Sequence, residues 1–554
     1  MKEAKAVEID GRTGEGGGQL VRIACALAAV ISQPIRITNV RGNREGPSGG
    51  GLKSQHVSSI AWLAKATKAE VTGLAVGSHT LEFRPQLKPW DLESRNISIA
   101  ADSAAASTLL IFQAILPFLL FASNDRGDPI QLSISGGTNV SFSLSYEYLN
   151  QVLLPTLERT FGIKVERTLK NRGWSLGKVT RGTVFFRIYP QKPDEPLRLL
   201  RSESDWTEDD LDVVAVDASI VAPLAMHESL CECLVQDLGD FFPGADVQFK
   251  VTEDSGEDTR VYVLLVAKSE AGPIWGRDVL TSIPKKSRSK DGHAGAKATA
   301  SVSESVARKV SKELFAEVSS GGVVDEFLQD QLIIFQALAE GRSSFPRAGV
   351  FSSDTCTMFS PKKGLSNKGS AAMLASKAKG PAGVFTPLRA STPMPASPKS
   401  AAAMTPKGQI TRGQSPMKGG PTVMQTLKHE TAGTPSPHKE LLPAWSSMKK
   451  KHPDPTETGS ATGSSKSNGG GSGPAPSALE EALQDLDIGE RERKDKAHQP
   501  FGEGSTHTQT ARWVVSELLP QVRFFNKGRI CEGVGMVSVR RYPEQQLSSR
   551  AVSS

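Results

Sequence analysis

The chain has 554 residues and a formal net charge of +7, and its length allows several hydrophobic cores. The positive charge is concentrated in residues 346–477, where 17 Lys and Arg face 5 Asp and Glu; this net of +12 leaves −5 for the remainder. The basic average therefore does not indicate that the whole folded part binds nucleic acid. Five cysteines without a CxxC pair argue against a disulfide framework, and no Cys and His spacing suggests a zinc site, so we expect a reducing compartment.

Two segments bear on membranes. Residues 1–12 are charged and lack an apolar stretch, which argues against a secretory signal. Residues 103–123 are apolar and about long enough to cross a bilayer, but Gln113 and Pro117 interrupt them and no basic cluster flanks them. We therefore expect a buried helix there and no membrane contact.

Two stretches of about 90 residues share the order strand, helix, strand, helix, strand, strand. The strands are rich in Ile, Val and Thr, and the helices have apolar residues at helical spacing. In the first unit we predict strands over 7–10, 35–40, 70–74 and 80–84, with helices over 18–31 and 54–66. In the second unit we predict strands over 97–100, 130–135, 163–168 and 183–189, with helices over 103–121 and 146–161.

A third copy of this pattern begins near Trp275 and is interrupted. Its predicted helices are 298–318, 325–339 and 510–519, and its late strands are 522–526 and 535–541. Before it lies a pattern of its own, with strands over 213–217, 246–252 and 261–267 and a helix over 222–240. We predict an α+β fold of three repeated β-α-β-α-β-β units packed together, with a small α/β insert domain and a long disordered basic loop.

The loop is residues 346–477, which are dense in Pro, Gly, Ser, Ala and Lys and poor in aromatic residues. Such a segment cannot bury enough apolar surface to become ordered. The predicted domain plan assigns 1–190 to the first two units, 191–280 to the insert, 281–345 and 478–545 to the two parts of the third unit, 346–477 to the loop and 546–554 to a tail.

Eight Ser/Thr-Pro steps lie in this loop, and four of them, at Ser360, Thr386, Ser415 and Ser436, have Lys or Arg three residues on. Proline-directed kinases prefer this pattern, so such a kinase is an expected partner, and each phosphate would offset part of the positive charge. The alternative is a solvated insertion without a regulatory role.

Two motifs far apart point to chemistry. The first, at residues 14–22, reads Gly-Glu-Gly-Gly-Gly-Gln-Leu-Val-Arg, and the second, at 506–510, reads Thr-His-Thr-Gln-Thr. Glycines leave backbone N–H groups open to a phosphate, Glu15 offers a carboxylate for a divalent ion, and Arg22 suits a phosphate. His507 offers a nucleophilic nitrogen. Taken alone, a glycine run is more often a turn, and a single histidine is usually structural.

As a pair, in this order, the two motifs resemble the RNA 3′-terminal phosphate cyclase family. Four further segments resemble it too: Arg-Gly-Asn-Arg at 41–44, Leu-Lys-Ser-Gln-His at 52–56, Ser-Gly-Gly-Thr-Asn at 135–139, and Val-Asp-Glu-Phe-Leu-Gln-Asp-Gln-Leu at 324–332. The resemblance covers roughly residues 5–190, 280–345 and 500–540. It implies repeated units of two helices on a four-stranded sheet, which agrees with the predicted elements.

The resemblance implies an ATP-dependent ligase that forms a phosphoric ester bond, converting an RNA 3′-terminal phosphate to a 2′,3′-cyclic phosphodiester. His507 would attack the α-phosphate of ATP and carry AMP as a covalent histidine–AMP intermediate. AMP would pass to the RNA 3′-phosphate, giving an RNA(3′)pp(5′)A adenylate, and the neighbouring 2′-hydroxyl would displace it. Neutral imidazole is a competent nucleophile near pH 7.

The resemblance also implies the supporting residues. The residues expected to contact the nucleotide are Gln113, Phe327, Asp330 and Gln331, with Phe327 stacked on adenine. The residues expected to bind RNA phosphate or to assist a metal are Glu15, Arg22, Arg41, Arg44, Gln55 and His56, with Glu15 as the metal ligand. The expected cofactors are ATP and a divalent cation, Mg or Mn, the expected partner is RNA with a 3′-phosphate end, and the expected location is the nucleoplasm with a cytoplasmic pool.

Some positions depart from the family pattern. Residues 172–178 keep the initial Arg-Gly but lack the proline and the glycine triplet, 45–51 are extra residues in the basic loop, and Ser143-Leu144-Ser145 stand where the family often has a proline near the nucleotide. Two other functions agree less well with the sequence. A non-catalytic relative acting in ribosome biogenesis would lack His507, and an enolpyruvyl transferase, built from similar units, would need a Lys and Arg signature that we do not find.

Overall fold

The structure is a computed structural model that describes residues 4–46, 49–200, 209–257, 259–283, 292–348 and 498–538. These ranges exclude the predicted tail and all of the predicted loop after residue 348. The four Ser/Thr-Pro steps that have Lys or Arg three residues on therefore lie outside the described residues. The α+β fold class is confirmed, with four small sheets and their helices. No helix among the described residues is long and apolar enough to cross a membrane.

The first unit has the predicted order of elements. Its strands are β1 (Val7–Asp10), β2 (Ile35–Thr38), β3 (Glu70–Thr72) and β4 (Leu81–Arg84), and its helices are α1 (Gly18–Ile31) and α2 (Ser54–Thr67). The sheet order is β1-β2-β4-β3, with β1 parallel to β2 and the other pairs antiparallel. Helix α1 is buried on nearly all sides, because its apolar residues surround the axis and it packs against helices of every unit but the insert.

The second unit repeats this order. Its strands are β5 (Asn96–Ala100), β6 (Ile130–Gly136), β7 (Val165–Asn171) and β8 (Gly182–Ile188), and its helices are α3 (Thr108–Leu120), α4 (Tyr146–Tyr148) and α5 (Leu154–Phe161), with one wider helical turn between the last two. The sheet order, β5-β6-β8-β7, matches that of the first unit. Helix α3 starts five residues later than predicted because Ser107 caps it, accepting the N–H groups of Leu109 and Leu110.

The insert forms a second core. It contains β9 (Val213–Ala222), α6 (His227–Phe241), β10 (Asp246–Asp254), β11 (Arg260–Ser269), β12 (Ile274–Ser282) and α7 (Gly292–Val318), with sheet order β10-β9-β11-β12. The sequence predicts that α7 belongs to the third unit, but its Val310 and Leu314 share a core with Leu230 and Leu234 of α6. An apolar stripe predicts that a helix is covered, but not which sheet covers it.

Strand β11 joins the insert to the main body. Val263 and Leu265 face the core under α6 and α7, whereas Leu264 and Val266, which alternate with them, belong to the main core. A strand that is buried on both faces reads as a continuous apolar run, and this one does.

The third unit is built from two segments of the described chain, one before residue 349 and one after residue 497. It comprises α8 (Glu326–Leu338), β13 (Glu340–Ser344), α9 (Thr506–Leu518), β14 (Arg523–Phe525) and β15 (Ile530–Val534), with sheet order β13-β15-β14. Residues 535–538, the described part of the strand predicted over 535–541, follow β15 and do not form a strand, and residues 539–541 lie outside the described ranges. Strand β13 was not predicted. Gly533 explains part of the difference between prediction and structure, because a glycine weakens the strand pattern in the sequence. The fold nevertheless needs glycine there, because a Cβ at position 533 would collide with the carbonyl oxygens of Gln336 and Ala339.

The fold extends three residues into the predicted loop. The N–H of Val323 donates to the carbonyl oxygen of Pro346 at 3.0 Å. Arg347 pairs with Glu317 at 2.6 Å and with Glu326 at 3.4 Å. The predicted boundary at 346 is therefore too early, because Arg347 completes a buried ion-pair network.

Candidate active site

A polar cleft of about 680 Å³ is lined by residues of the first, second and third units. The structure brings into its lining seven of the predicted site residues: Glu15, Arg22, Arg41, Arg44, Gln55, His56 and His507. Lys53 and Ser103 also line it, together with Leu110 and Phe142 on the side of the second unit. The cleft is thus rich in cations on one side and apolar on the other.

His507 lies in the first turn of α9, where Ser505 caps the helix by accepting the N–H of Thr508. Its Nδ1 atom is 2.9 Å from Oε1 of Gln19 and 3.9 Å from Oε2 of Glu15. Both neighbours are acceptors, so Nδ1 carries the proton and donates to Gln19. The lone pair of a neutral His507 is then on Nε2.

The charge state of His507 follows from its surroundings. Burial lowers the pKa of its imidazole, and the positive charges of Arg22 and Arg44 lower it further, against a smaller opposing effect of Glu326. His507 is therefore a neutral base near pH 7, although its side chain remains 46% exposed.

The glycine motif is a turn that docks on α9. Gly14 and Gly16 have φ of 64° and 60°, in the left-handed region that favours glycine. A Cβ at Gly14 would collide with the hydroxyl of Thr510, which instead accepts the N–H of Glu15 at 2.7 Å. The motif thereby brings Glu15 and Gln19 beside His507, and its glycine run ends at Gly18, where α1 begins and lines the cleft.

Glu15 is 8% exposed and forms an ion pair with Arg44 across the cleft. Among the described residues, no group of three or more His, Cys, Asp or Glu is arranged to hold a metal ion. A single carboxylate that is already paired with a guanidinium does not fit the oxygen-rich shell that Mg²⁺ or Mn²⁺ requires. These residues by themselves therefore do not form the metal site that we predicted for Glu15.

Four polar side chains form a chain that leads out of the cleft. Arg22 Nε donates to Gln113 Oε1 at 2.7 Å, Gln113 Nε2 donates to Gln331 Oε1 at 2.5 Å, and Gln331 Nε2 donates to Asp330 Oδ1 at 2.5 Å. Burial lowers the pKa of Arg22 to about 10 and raises the pKa of Asp330 to about 7. Of the predicted nucleotide residues, Gln113 thus bonds to Arg22 directly, and Gln331 and Asp330 are connected to Arg22 through Gln113.

Gln113 and Gln331 also line a small pocket of about 40 Å³, otherwise mostly apolar, walled by side chains such as Leu109, Leu144 and Phe335. Phe327 lines neither this pocket nor the cleft. Its ring lies 4.4 Å from the guanidinium of Arg277 and meets Tyr148 edge to face at 6.2 Å. The stacking of Phe327 on adenine stays a prediction.

His56 is 2% exposed, and its Nδ1 accepts the N–H of Lys53 at 3.1 Å. Its proton is then on Nε2, which is buried and has no hydrogen-bond partner among the described residues. A Cβ at Gly18 would lie 2.5 Å from this nitrogen, so only glycine leaves room beside it. Burial and three nearby cations hold the pKa of His56 well below its usual range, so it is a neutral donor.

Residues 13–361 match the family described as RNA 3′-terminal phosphate cyclase, more than half of the chain. The chain belongs to this family. A protein named RNA 3′-terminal phosphate cyclase from Pyrobaculum aerophilum is 31% identical over 338 residues, 61% of this chain and 86% of the relative. One of the same name from Thermococcus kodakarensis is 32% identical over 338 residues, covering 60% and 86%. A "probable" RNA 3′-terminal phosphate cyclase from Dictyostelium discoideum is 29% identical over 365 residues, covering 64% and 76%.

These matches confirm the family and the enzyme class predicted from the sequence. The family match ends at residue 361, before the segment that carries His507. It is the three-dimensional arrangement that returns His507 to the cleft of this cyclase-family protein. The part of the chain that the family match leaves out therefore completes the candidate site.

Gln19 and Phe142 are among the residues of the cleft for which the sequence predicts no role. Gln19, which lies within the glycine motif, is the partner of His507, and its place in that motif is the signal that could have found it. Phe142 is 54% exposed at the cleft, an aromatic residue in the otherwise polar loop after the Gly-Gly-Thr turn. Exposure of a large aromatic side chain at a polar site cannot be deduced from sequence spacing.

The altered segment 172–178 keeps a structural function. The carbonyl oxygen of Gly173 accepts the N–H groups of Thr138 and Asn139 at 2.9 Å each. Arg172 pairs with Glu147 and, at 2.9 Å, with Glu253. The Arg-Gly pair that this chain shares with the family thus holds the Gly-Gly-Thr turn, and neither of its residues lines the cleft.

Proposed function

We propose that this protein converts the 3′-terminal phosphate of RNA to a 2′,3′-cyclic phosphodiester, with ATP as a substrate and His507 as the nucleophile. The observation that carries the proposal is the position of His507. Its Nδ1 is held by Gln19 at 2.9 Å, which leaves the Nε2 lone pair for attack, in a cleft that contains the side chains of Arg22, Arg41 and Arg44.

The cationic side of the cleft suits both the phosphates of ATP and the 3′-phosphate of the RNA. Arg22, Arg41, Arg44 and Lys53 lie there together, and fixed cations of this kind stabilise the charge that develops in phosphoryl transfer. The N-terminus of α1 begins at the cleft, and its first N–H groups lack a side-chain cap. A helix N-terminus of this kind favours an anion. His56 adds a neutral donor through Nε2.

In the proposed first step, Nε2 of His507 forms a bond to the α-phosphorus of ATP while the bond to pyrophosphate breaks. In the second, an oxygen of the RNA 3′-phosphate attacks the same phosphorus and His507 leaves. In the third, the ribose 2′-oxygen attacks the 3′-phosphorus, loses its proton, and AMP departs. Gln19 keeps the Nδ1 proton in place, so His507 enters and leaves the cycle in the same tautomer.

The nucleoside of ATP is assigned to the side of Gln113 and Gln331. Their amides are held by Arg22 and Asp330, and the pocket beside them is mostly apolar. A pocket with few polar groups and apolar walls is typical for a nucleobase or ribose. The small volume of this pocket means that its side chains must move apart for a ring to enter. No step is assigned to a divalent ion, because the cleft residues do not form a metal site.

The test is covalent labelling with ATP that is labelled at the α-phosphate. We expect wild-type protein to take an acid-labile label and to cyclise a short RNA with a 3′-phosphate, whereas His507→Ala does neither. His227→Ala, a histidine substitution in the insert, is the matched control and should behave as wild type. If wild-type protein took no label but bound such an RNA, a non-catalytic, RNA-binding role would replace this proposal.

A further inference from the structure

The sheet of the second unit has one face open to solvent, here called the outer face. Strand residues alternate between the core and this face, so its members are fixed by the register of the four strands. Phe185 is on the central strand β8 and is 43% exposed. Its partners in register are Ser133 on β6 and Thr168 on β7, and Ser133 in turn pairs with Ser98 on β5. Small hydroxyl side chains on both sides leave the ring of Phe185 accessible.

Cations surround the aromatic residues of this face. Lys170 Nζ lies 5.9 Å from the centre of the Phe185 ring. Tyr189 lies just beyond the end of β8. Lys164 Nζ is 4.9 Å from the centre of its ring, and the guanidinium of Arg187 is 5.6 Å from it. On β7 and β8 the outward positions hold one carboxylate, Glu166, whose Oε1 accepts the hydroxyl of Tyr189 at 2.8 Å. The described part of these two strands therefore presents two rings and an excess of positive charge.

The outer face is continuous with the cleft. Arg181, just before β8, donates from Nη1 to the carbonyl oxygen of Ala101 at 2.6 Å and from Nη2 to that of Asp102 at 3.4 Å. The next residue, Ser103, lines the cleft. Phe185 is four positions beyond Arg181, which in an extended strand is a distance of roughly 13 Å. A chain that leaves the cleft past Ser103 therefore reaches Phe185 within a short distance.

We propose that the outer face binds the single-stranded body of the RNA whose 3′-phosphate lies in the cleft. Bases stack on Phe185 and Tyr189, and the backbone phosphates lie near Lys164, Lys170 and Arg187. A four-stranded sheet with aromatic residues on its open face is a recurrent platform for single-stranded RNA, and stacking on aromatic rings with nearby cations tolerates any sequence. The charge on the face favours a polyanion over an apolar protein partner. This inference rests on the proposed function.

The test compares RNA of two lengths, a trinucleotide and a single strand of about 15 nucleotides, both with 3′-phosphates. For Phe185→Ala we expect the KM of the longer RNA to rise about 5- to 100-fold, the range of one lost base stack. The KM of the trinucleotide and the AMP labelling should not change. Phe249→Ala is the matched control, since Phe249 is a 37% exposed phenylalanine on β10 of the insert; it should leave both values unchanged.

A second variant tests the electrostatic part. Lys170→Gln should weaken binding of the longer RNA and reduce the slope of log affinity against log salt by about 0.7, the value for one phosphate contact on a single strand. An equal effect of Phe185→Ala on both RNA lengths, no effect on either, or the same loss in Phe249→Ala would overturn the inference. So would a change in self-association alone, since the face would then join two copies of the chain.

The two proposals fail in different ways. Wild-type protein that takes no AMP label, yet binds the longer RNA in a manner that depends on Phe185, would refute the proposed function and leave the RNA platform standing. Normal labelling and normal cyclisation of both RNA lengths by Phe185→Ala would refute the platform and leave the proposed function standing.

Discussion

The Nδ1 atom of His507 lies 2.9 Å from the side-chain oxygen of Gln19, a residue 488 positions earlier in the chain. This contact fixes which nitrogen of the imidazole carries the proton and leaves the lone pair on Nε2. Because Gln19 belongs to the glycine motif and His507 to α9, the contact also requires that the first and third units be packed correctly. The tautomer of His507 thus depends on the tertiary fold.

Gln19→Ala should slow AMP labelling by about 10- to 100-fold, the usual effect of removing a group that orients an active imidazole. The substitution removes the acceptor of the Nδ1 proton, and Glu15, at 3.9 Å, is too far away to replace it. The measurement is single-turnover labelling with α-labelled ATP. Gln248→Ala, at an exposed glutamine of the insert, is the control. Labelling at the wild-type rate in Gln19→Ala would show that Gln19 does not orient His507.

Arg44→Gln should move the acid limb of the labelling rate to higher pH. The pKa of His507 is lowered by burial and by the charges of Arg22 and Arg44, so wild-type His507 stays neutral to a lower pH than an unperturbed histidine. Removing Arg44 removes one of these charges and leaves Glu15 without its ion-pair partner, and both changes favour the protonated imidazole. The profile of labelling rate against pH measures the shift.

The control for that profile is Arg12→Gln, because Arg12 is exposed and pairs with Asp10 outside the cleft. An acid limb that stays in place, or moves to lower pH, in Arg44→Gln would contradict the arrangement of charges around His507. A uniform loss of rate at every pH would instead assign Arg44 to the phosphates alone.

Much of the fold could be predicted from the sequence, because the first two units have strong local patterns. Helix α1 and strand β1 have the predicted bounds, since an apolar helix and an alternating strand each stand between clear turns. The unit to which α7 belongs was predicted wrongly, because an apolar stripe shows that a helix is covered but not which sheet covers it. Strand β15 was missed, because Glu532 and Gly533 break the strand pattern. Those two assignments depend on tertiary packing.

The site was predicted in a different way. Glu15 and His507 are far apart in sequence, and family resemblance, not spacing, placed them together. The ion pair of Glu15 with Arg44 and the hydrogen bond of Gln113 with Arg22 could not be predicted, because they depend on rotamers that the surrounding packing selects.

Gln113→Ala should raise the KM for ATP about tenfold and change kcat less. The amide of Gln113 orients Arg22 at 2.7 Å and satisfies Gln331 at 2.5 Å, so its loss leaves two enclosed polar groups without a partner. Titration calorimetry with a non-hydrolysable ATP analogue should show the same loss of affinity. Gln151→Ala is the control, because Gln151 bonds to Ser219 and lies outside the cleft. An unchanged affinity would remove Gln113 from the nucleotide site.

Arg347→Ala should destabilise the fold although Arg347 lies within the stretch that the sequence predicts as a loop. Arg347 donates from Nε and Nη2 to Glu317, which is 4% exposed and also pairs with Arg277. Losing a charged donor to a buried carboxylate costs about 1.5–3 kcal/mol of unfolding free energy. Arg342→Ala is the matched control: Arg342 pairs with Glu532 at 3.2 Å, but both side chains are well exposed, so its loss should cost less than about 1 kcal/mol. Chemical denaturation measures both, and equal stability of the two variants would show that the buried network does not hold residues 346–348 in the fold.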